Sequence, residues 1–370
     1  MKIVMFIYSM QCGGAERVTA NLANEWSAHG WEVSVVSIAS AKDDFYPLNA
    51  GIRRISLNLS GASRSFSTSV TSNLQRLMAL RRLLRELSPD VVVGVMTTAS
   101  VLAILARLGL PCRVIATEHT HPPRLPLNVL WRNLRRCTFR FSDCVVALTT
   151  DSKRWLEEHC NCANVKVIPP PFTWPIARTE PVVPPESVIS AKRKVLLAAG
   201  RLSKEKGFDV LIAAFASIAR PLSQWDLVIV GEGSDRSALE NQIESLGLEG
   251  RIFLAGRVGN VSDWYERADL FVLSSRYEGL PMTLVEAMAS GCAAVSYDCD
   301  TGPRDIITHG DNGLLVRSVG DPDELADALN ALMSRDHVRE QMASRATAVA
   351  ETFSGSRTMA LWRQILEKTV

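Results

Sequence analysis

Short apolar runs alternate with segments of helical periodicity through the first 170 residues of the chain. The predicted strands are Lys2–Tyr8, Val33–Ile38, Val91–Val95, Arg113–Thr117 and Cys144–Leu148. Between them lie amphipathic stretches, for example Ala15–His29 and Leu74–Leu87. Strands that are apolar on both faces and separated by helices are typical of a parallel sheet covered on both sides. The first half is therefore predicted to be a Rossmann-like α/β domain.

The same alternation returns after a proline-rich stretch. Pro169-Pro170-Pro171 opens a polar segment that continues to about Ser190. Because proline cannot donate to a ladder and opposes helix, this segment is predicted to be an extended linker. Strands are then predicted at Lys194–Ala199, Asp226–Gly231, Ile252–Ala255, Leu270–Ser274, Ala293–Tyr297 and Gly313–Val316.

The predicted fold is α/β, with two Rossmann-like domains facing each other across a deep cleft. The N-terminal domain covers 1–170, the linker 171–190 and the C-terminal domain 191–354. The last helix, within 355–370, is expected to cross back and complete the first domain. Clefts between such domains favour ligands.

Composition narrows the class of protein. A length of 370 residues suits two domains, and a net charge of +2 argues against a nucleic-acid-binding protein. No run approaches the ~20 apolar residues of a membrane span. The N-terminal apolar run has no cleavage pattern and leads at once into a Gly-Gly turn, so it is interpreted as a strand rather than a signal peptide. We therefore expect a cytoplasmic protein.

The first strand ends in a turn that contains Gly13 and Gly14. Adjacent glycines between a strand and a helix let backbone amides approach a phosphate beside the positive helix end. The dinucleotide fingerprint G-x-G-x-x-G is absent, and the second strand ends Ser37-Ile38-Ala39-Ser40 without an acid to hold a ribose. A nicotinamide enzyme is thus disfavoured, while a tight turn without a ligand stays open.

Similar turns recur in the second half. Gly200 follows a strand, and Arg201 and Lys206 lie at the mouth of that turn; Gly231 follows the next strand. A diphosphate needs converging cations, and an arginine can bind it through two parallel hydrogen bonds while a lysine supplies a mobile charge. In isolation, both side chains could equally be solvated surface residues.

The segment Tyr277–Gly291 contains two glutamates. Glu278 lies on a loop, Pro281 is placed near the first turn of the next helix, and Glu286 lies on that helix. A loop carboxylate there can meet sugar hydroxyls, and one further along can hold ribose hydroxyls through paired acceptor oxygens. The alternative is a capped helix with two exposed acids.

Glu278 and Glu286 form an E-x7-E segment that resembles the hallmark of retaining GT-B glycosyltransferases of family 4. The resemblance covers nearly the whole chain and extends to four further motifs in order. These are Gly13-Gly14-Ala15-Glu16-Arg17, Glu118-His119, Gly200-Arg201 with Lys206, and Gly231-Glu232-Gly233. The chain is most similar to bacterial enzymes that build O-antigen, exopolysaccharide or lipid-linked glycans.

The resemblance implies roles for the matching residues. Arg201 and Lys206 would neutralise the donor diphosphate, Glu286 would bind the ribose, and Glu278 would contact the transferred sugar. His119 would face the donor sugar near the reaction centre, so His119, Glu278, Arg201 and Lys206 form the implied catalytic set. The implied donor-binding residues are Gly13, Gly14, Gly200, Arg201, Lys206, Gly231, Gly256, Arg257, Val258, Glu278, Gly279, Leu280, Pro281 and Glu286.

The family also implies the reaction. A hexose or N-acetylhexosamine would move from a UDP-sugar, with GDP-sugar less favoured, to an undecaprenyl-diphosphate-linked glycan. Front-face attack would retain the anomeric configuration, and no cofactor or metal would be needed. Asp298-Cys299-Asp300 spells the D-x-D of a metal site, but the surrounding loop matches the family better, and Cys160 and Cys162 lack the spacing of a zinc site.

Two basic amphipathic segments, 74–87 and 126–140, suggest contact with the inner face of a membrane. In the second, Leu127, Leu130, Trp131 and Leu134 are placed on one face and Arg132, Arg135, Arg136 and Arg140 on the other. Ordinary core packing with a solvated basic face is the alternative.

Three other kinds of protein remain as rivals. A nucleotide-sugar epimerase of the same fold would consume the donor without an acceptor, and a noncatalytic nucleotide-sugar-binding protein would be expected to lack one of Arg201, Lys206 or Glu278. A periplasmic sugar-binding protein would need a signal peptide.

Overall fold

The computed structural model describes residues 1–61, 66–125, 127–172, 174–176 and 178–367. The chain forms two compact units. The first contains Met1–Pro171 and Thr358–Val370, of which 358–367 are described, and the second contains Phe172–Arg357.

The first unit is built on a seven-stranded parallel sheet. Its strands are β1 (Lys2–Ile7), β2 (Glu32–Ser37), β3 (Arg53–Ser56), β4 (Val91–Val95), β5 (Arg113–Glu118), β6 (Cys144–Ala147) and β7 (Val165–Val167). They lie in the order β3-β2-β1-β4-β5-β6-β7. The helices are α1 (Gly14–Ala28), α2 (Phe66–Leu87), α3 (Met96–Ala106), α4 (Val129–Thr138) and α5 (Thr150–Cys160).

The second unit repeats this design on six parallel strands. They are β8 (Lys194–Ala199), β9 (Trp225–Val230), β10 (Ile252–Gly256), β11 (Leu270–Leu273), β12 (Ala294–Tyr297) and β13 (Gly313–Val316), in the order β10-β9-β8-β11-β12-β13. The helices are α6 (Phe208–Ala219), α7 (Arg236–Ser245), α8 (Val261–Arg267), α9 (Met282–Ala289), α10 (Pro303–Ile306), α11 (Pro322–Met333), α12 (Asp336–Ala346) and α13 (Val349–Thr352). The prediction of two Rossmann-like α/β domains is confirmed.

The last helix, α14 (Gly355–Leu366), packs with its C-terminal part on the first unit, as predicted. Trp362 meets Trp26 of α1 edge to face, with ring centroids 5.3 Å apart. The Arg113 guanidinium donates to the carbonyls of Ile365 and Leu366 at the end of this helix. Residues 368–370 of the predicted segment lie outside the described residues.

From Phe172 onward the proline-rich segment belongs to the second compact unit. The Asn260 side chain accepts from the Val183 amide at 2.9 Å and donates to the Val183 carbonyl at 3.1 Å. Trp264 Nε1 donates to the same carbonyl at 3.0 Å. The backbone N–H and C=O groups of Val183 thus find hydrogen-bond partners in side chains instead of in a sheet. This part of the segment therefore packs against the second unit. Residues 173 and 177 lie outside the described residues.

One arginine of the predicted basic face of segment 126–140 is buried. Arg135 is only 2% exposed, because its guanidinium lies 3.8 Å from Glu118 and stacks on Trp155, whereas Leu130 is 41% exposed. The helix covers 129–138, and residue 126 lies outside the described residues.

In segment 74–87 the apolar face packs on the core through Leu80 and Leu84, which favours the alternative of ordinary core packing for these residues. Arg81 is not part of a free basic face, because its guanidinium donates to the carbonyls of Ala106 and Leu108 at 2.7 and 2.6 Å. Arg82 and Arg85 are exposed. Within the described residues, no helix has both the length and the apolar character needed to cross a membrane.

Candidate active site

Lys206 and Glu278 form an ion pair at one edge of the second sheet. They follow the neighbouring parallel strands β8 and β11, whose carboxyl ends meet at that edge. Lys206 Nζ lies 2.6 Å from Glu278 Oε1, and the Ser275 hydroxyl donates to the same oxygen at 2.6 Å. The two charged side chains are 21% and 10% exposed, so the pair is partly shielded from water. The structure therefore brings together a cation and a carboxylate that lie 72 positions apart.

Arg276 holds the two loops of this pair against each other. Its amide donates to the Glu205 carbonyl at 2.8 Å and its guanidinium to the Lys204 carbonyl at 2.6 Å. Two further hydrogen bonds, of 2.9 and 2.7 Å, join it to Asp209 and lower the pKa of that carboxyl. Sequence reasoning missed Arg276 and Ser275, although their place between a strand end and Glu278 was a usable signal.

Three glycines of the predicted donor set meet at the same edge. The Gly200 amide donates to the Val230 carbonyl at 3.0 Å, and the Gly231 amide to the Gly256 carbonyl at 2.8 Å. Gly231 has φ +140°, and a Cβ there would lie 1.8 Å from the Gly200 carbonyl oxygen. Only glycine fits this approach of three strand ends.

Two predicted polar residues extend from this edge into solvent. Arg201 and Arg257 follow Gly200 and Gly256, and both are exposed. Val258 next to Arg257 is half-buried. Two exposed arginines thus directly follow glycines of this edge.

Glu286 lies inside the second unit and is only 6% exposed. The buried Tyr265 hydroxyl of α8 donates to Glu286 Oε2 at 3.1 Å. Because Glu278 is also mostly shielded, the alternative of a helix with two exposed acids is excluded. Tyr265 was missed, since no pattern around it distinguishes it from a core aromatic.

The loop between the two glutamates is braced by the segment after β12. Leu280 is 8% exposed, and Pro281 precedes the first residue of α9. Gly302 has φ +101°, and a Cβ there would lie 2.6 Å from both the Gly279 carbonyl oxygen and Pro281 Cδ.

The D-x-D lookalike lies in this bracing segment. Asp298 Oδ1 accepts from Arg304 Nε at 2.9 Å, and Cys299 is buried. Across the part of the chain that the structure describes, no group of three or more His, Cys, Asp or Glu residues is placed to hold a metal ion.

The first unit carries its own candidates at the carboxyl edge of its sheet. Gly13 and Gly14 lie where β1 passes into α1. His119 follows β5, and its Nε2 lies 3.1 Å from the Thr117 hydroxyl. Burial lowers the pKa of His119 to about 4, so its imidazole is neutral at pH 7.

Glu118, beside His119, is fully buried. Burial raises its pKa to about 7, against the opposing influence of Arg135 at 3.8 Å and of the Thr97 hydroxyl at 2.5 Å. Its second carboxylate oxygen and the Arg135 Nε have no hydrogen-bond partner in the described residues. Glu118 thus belongs to an interior polar cluster with Thr97 and Arg135.

Each of the two units matches a known protein family. Residues 12–172 match the family Glycosyltransferase Family 4, and residues 181–349 match Glycosyl transferases group 1. The chain belongs to these glycosyltransferases, and its two units are the Rossmann-like domains of a GT-B enzyme.

Two relatives match almost end to end. One, from Campylobacter jejuni subsp. jejuni serotype O:2, is 28% identical over 99% of this chain and 98% of its own. It is an α-1,4-N-acetyl-D-galactosaminyltransferase named for a PP-undecaprenol-linked GalNAc-α-(1→4)-GalNAc-α-(1→3)-diNAcBac acceptor. The other, an amylovoran biosynthesis glycosyltransferase of Erwinia amylovora, is 27% identical over 96% of both chains.

A solved structure supports the fold. An Anabaena protein crystallised in complex with UDP aligns over 100% of both chains, with a TM-score of 0.79 and 21% identity. At this identity the likeness shows the fold alone.

Proposed function

We propose that this chain transfers a hexose or N-acetylhexosamine from a UDP-sugar to an undecaprenyl-diphosphate-linked glycan, with retention of configuration and without a metal ion. The donor is held by the second unit and the acceptor by the first. The Lys206–Glu278 pair is the observation that carries this proposal.

The pair suits a diphosphate leaving group that gains negative charge. A preorganised cation stabilises such charge in the transition state, and the bond to Glu278 holds the ammonium in place before the donor binds. Arg201, exposed at the same edge, supplies a second, bidentate cation. With two cations available from side chains, charge neutralisation does not require a bound metal.

Glu278 and His119 complete the proposed chemistry. Glu278 Oε1 is engaged by Lys206 and Ser275, so we assign this carboxylate to positioning the sugar rather than to nucleophilic attack. The neutral imidazole of His119 accepts or donates a hydrogen bond to a sugar hydroxyl without adding charge.

The nucleotide and acceptor are proposed from the relatives. The Anabaena structure contains UDP, and the Campylobacter relative is named for an acceptor that carries PP-undecaprenol. Both choices are tested together by offering UDP- and GDP-sugars with a lipid-diphosphate glycan in the presence of EDTA.

We expect acceptor-dependent sugar addition that survives EDTA and falls by about 10²-fold or more in Arg201→Ala and Lys206→Ala. The anomeric configuration of the product, read from its proton coupling constants, is expected to match that of the donor. Arg345→Ala is the matched control, since Arg345 forms an exposed ion pair with Asp311 in the same unit. Donor conversion without acceptor would instead indicate an epimerase, and nucleotide binding without turnover a binding protein.

The first unit also offers a surface suited to an anionic membrane. It is formed on and after α4 by exposed apolar and basic residues: Val129, Leu130, Arg132, Arg136, Arg140 and Phe141. Val129 is 60% and Phe141 53% exposed. Apolar residues interspersed with arginines are typical of helices that lie in the headgroup region.

We therefore propose that this α4 surface contacts the membrane that holds the acceptor. Arg132→Gln with Arg136→Gln is expected to weaken binding to phosphatidylglycerol vesicles about 30-fold, since each cation near the surface contributes about 1 kcal/mol. Co-sedimentation measures the effect, with Arg345→Gln as the control for loss of an exposed arginine in the other unit. Equal binding by all proteins, or none by the unmodified chain, would contradict this contact.

A further inference from the structure

Tyr265 places a hydroxyl against the buried carboxylate of Glu286, which under the proposed function binds the donor ribose, as the family resemblance implies. Both residues are almost fully buried, at 1% and 6% exposure, and the hydroxyl lies 3.1 Å from Glu286 Oε2. The two side chains come from different helices, α8 and α9. Their tertiary contact thus fixes the Glu286 carboxyl group relative to α8.

The position of Tyr265 is set by the fold and needs no ligand. Its ring meets Phe271 of β11 edge to face, at a centroid distance of 5.9 Å. Its carbonyl accepts from the Cys292 thiol at 3.1 Å. The preceding residue, Trp264, anchors α8 to the Val183 carbonyl. These contacts fix α8, and the hydroxyl is therefore a preorganised hydrogen-bond donor.

The hydrogen bond from the tyrosine hydroxyl affects which groups Glu286 can bind. An ionised carboxylate offers about four acceptor sites, and the vicinal hydroxyls of a ribose are donors that can use two of them. A tyrosine hydroxyl occupies one site and rotates the carboxylate into one orientation. Because the hydroxyl is neutral, it adds no charge of its own beside Glu286.

We propose that Tyr265 is a positioning residue that gives the donor site its selectivity for the 2′,3′-diol of a ribonucleotide. The inference rests on the proposed assignment of Glu286 to the ribose. Tyr265 acts on the donor through Glu286, so removing its hydroxyl weakens the recognition of the diol and leaves recognition of the base and diphosphate as before.

The test compares ligands that differ only in the diol. Binding of UDP and of 2′,3′-dideoxy-UDP is measured by calorimetry for the unmodified chain and for Tyr265→Phe, which keeps the ring and its packing. We expect UDP to bind about tenfold more weakly to the variant. The dideoxy compound is expected to bind equally to both proteins, so the UDP preference falls about tenfold. In transfer assays the KM for the donor should rise with little change in kcat.

Tyr297→Phe is the matched control. Tyr297 is also a buried tyrosine of the second unit, and its hydroxyl donates to the Asp321 carbonyl at 2.6 Å. This variant is expected to lower the melting temperature and leave the UDP preference unchanged. A purely structural role for tyrosine hydroxyls would change both variants alike.

The outcomes separate the inference from the function it rests on. If the unmodified chain prefers UDP over the dideoxy compound and Tyr265→Phe keeps that preference, the role of Tyr265 is overturned and the transferase proposal stands. An equal loss of preference in Tyr297→Phe overturns it in the same way. If the unmodified chain binds neither UDP nor GDP, both proposals fail.

Discussion

At the scale of single residues, burial shifts the pKa values of the neighbours Glu118 and His119 in opposite directions. The pKa of Glu118 rises from 4.5 to about 7, and that of His119 falls from 6.5 to about 4. In each case burial disfavours the charged form. Glu118 therefore contributes stability that is lost as the pH rises from about 4.5 to 7, and His119 contributes stability that is lost as the pH falls from about 6.5 to 4.

Single substitutions should separate these opposing contributions. Relative to the unmodified chain, His119→Asn is expected to become more stable as the pH falls through this window, and Glu118→Gln as it rises. Each difference approaches about 3 kcal/mol, at 1.36 kcal/mol for each unit of pKa. Urea unfolding at intervals from pH 4 to 7 measures it. Parallel stability profiles for all three proteins would show that neither group is shifted.

Residue patterns predicted the candidate site better than the contacts within it. Glu278 and Lys206 were assigned from motifs, and their meeting follows from adjacent parallel strand ends. Arg135 was placed on a solvated face because helical periodicity carries no information about Glu118, which lies on β5. Tyr265 escaped for the same reason, as its partner Glu286 belongs to another helix.

At the scale of elements, the segment after β12 supports the loop of the E-x7-E motif through Gly302. Gly302→Ala would add a Cβ 2.6 Å from Gly279 and Pro281, in addition to the strain of a φ of +101°. We expect a loss of stability above the about 1–2 kcal/mol that positive φ alone costs, together with a rise in donor KM. Thermal melting and donor kinetics measure the two effects.

Gly310→Ala separates strain from collision. Gly310 has φ +80° but nothing within 4 Å of an added Cβ. It should lose about 1–2 kcal/mol of stability with an unchanged donor KM. If both variants behave identically, Gly302 does not support the donor loop.

The predicted strands match the structure where both faces of a strand are buried. The prediction was incomplete where contacts between residues distant in sequence determine the structure. The strands Val91–Val95, Lys194–Ala199 and Gly313–Val316 have the predicted bounds, because apolar runs between turns define them. The edge strand Arg53–Ser56 was missed, since its polar sequence lacks that signal. The contacts of the proline-rich segment were not predicted, because Asn260 and Trp264, some 80 residues later, supply its partners.

At the scale of the whole molecule, the chain folds around separate cores. Among the described residues, one cluster of buried apolar side chains lies in the second unit, and two others lie on opposite faces of the first sheet. Trp362 of α14 belongs to a core of the first unit, although the second unit separates it in sequence from Trp26. The core of the first unit therefore includes side chains of α14.

Trp362→Ala is expected to destabilise the first unit selectively. The side chain is 3% exposed and packs against Trp26, so its removal should cost about 3–5 kcal/mol and leave the second unit intact. Calorimetry should show the transition of the first unit moving to lower temperature. Leu329→Ala, at a fully buried position of α11, is the matched substitution and should lower only the other transition. If either variant shifts both transitions equally, the units unfold as one cooperative body and the assignment of stability to separate cores is wrong.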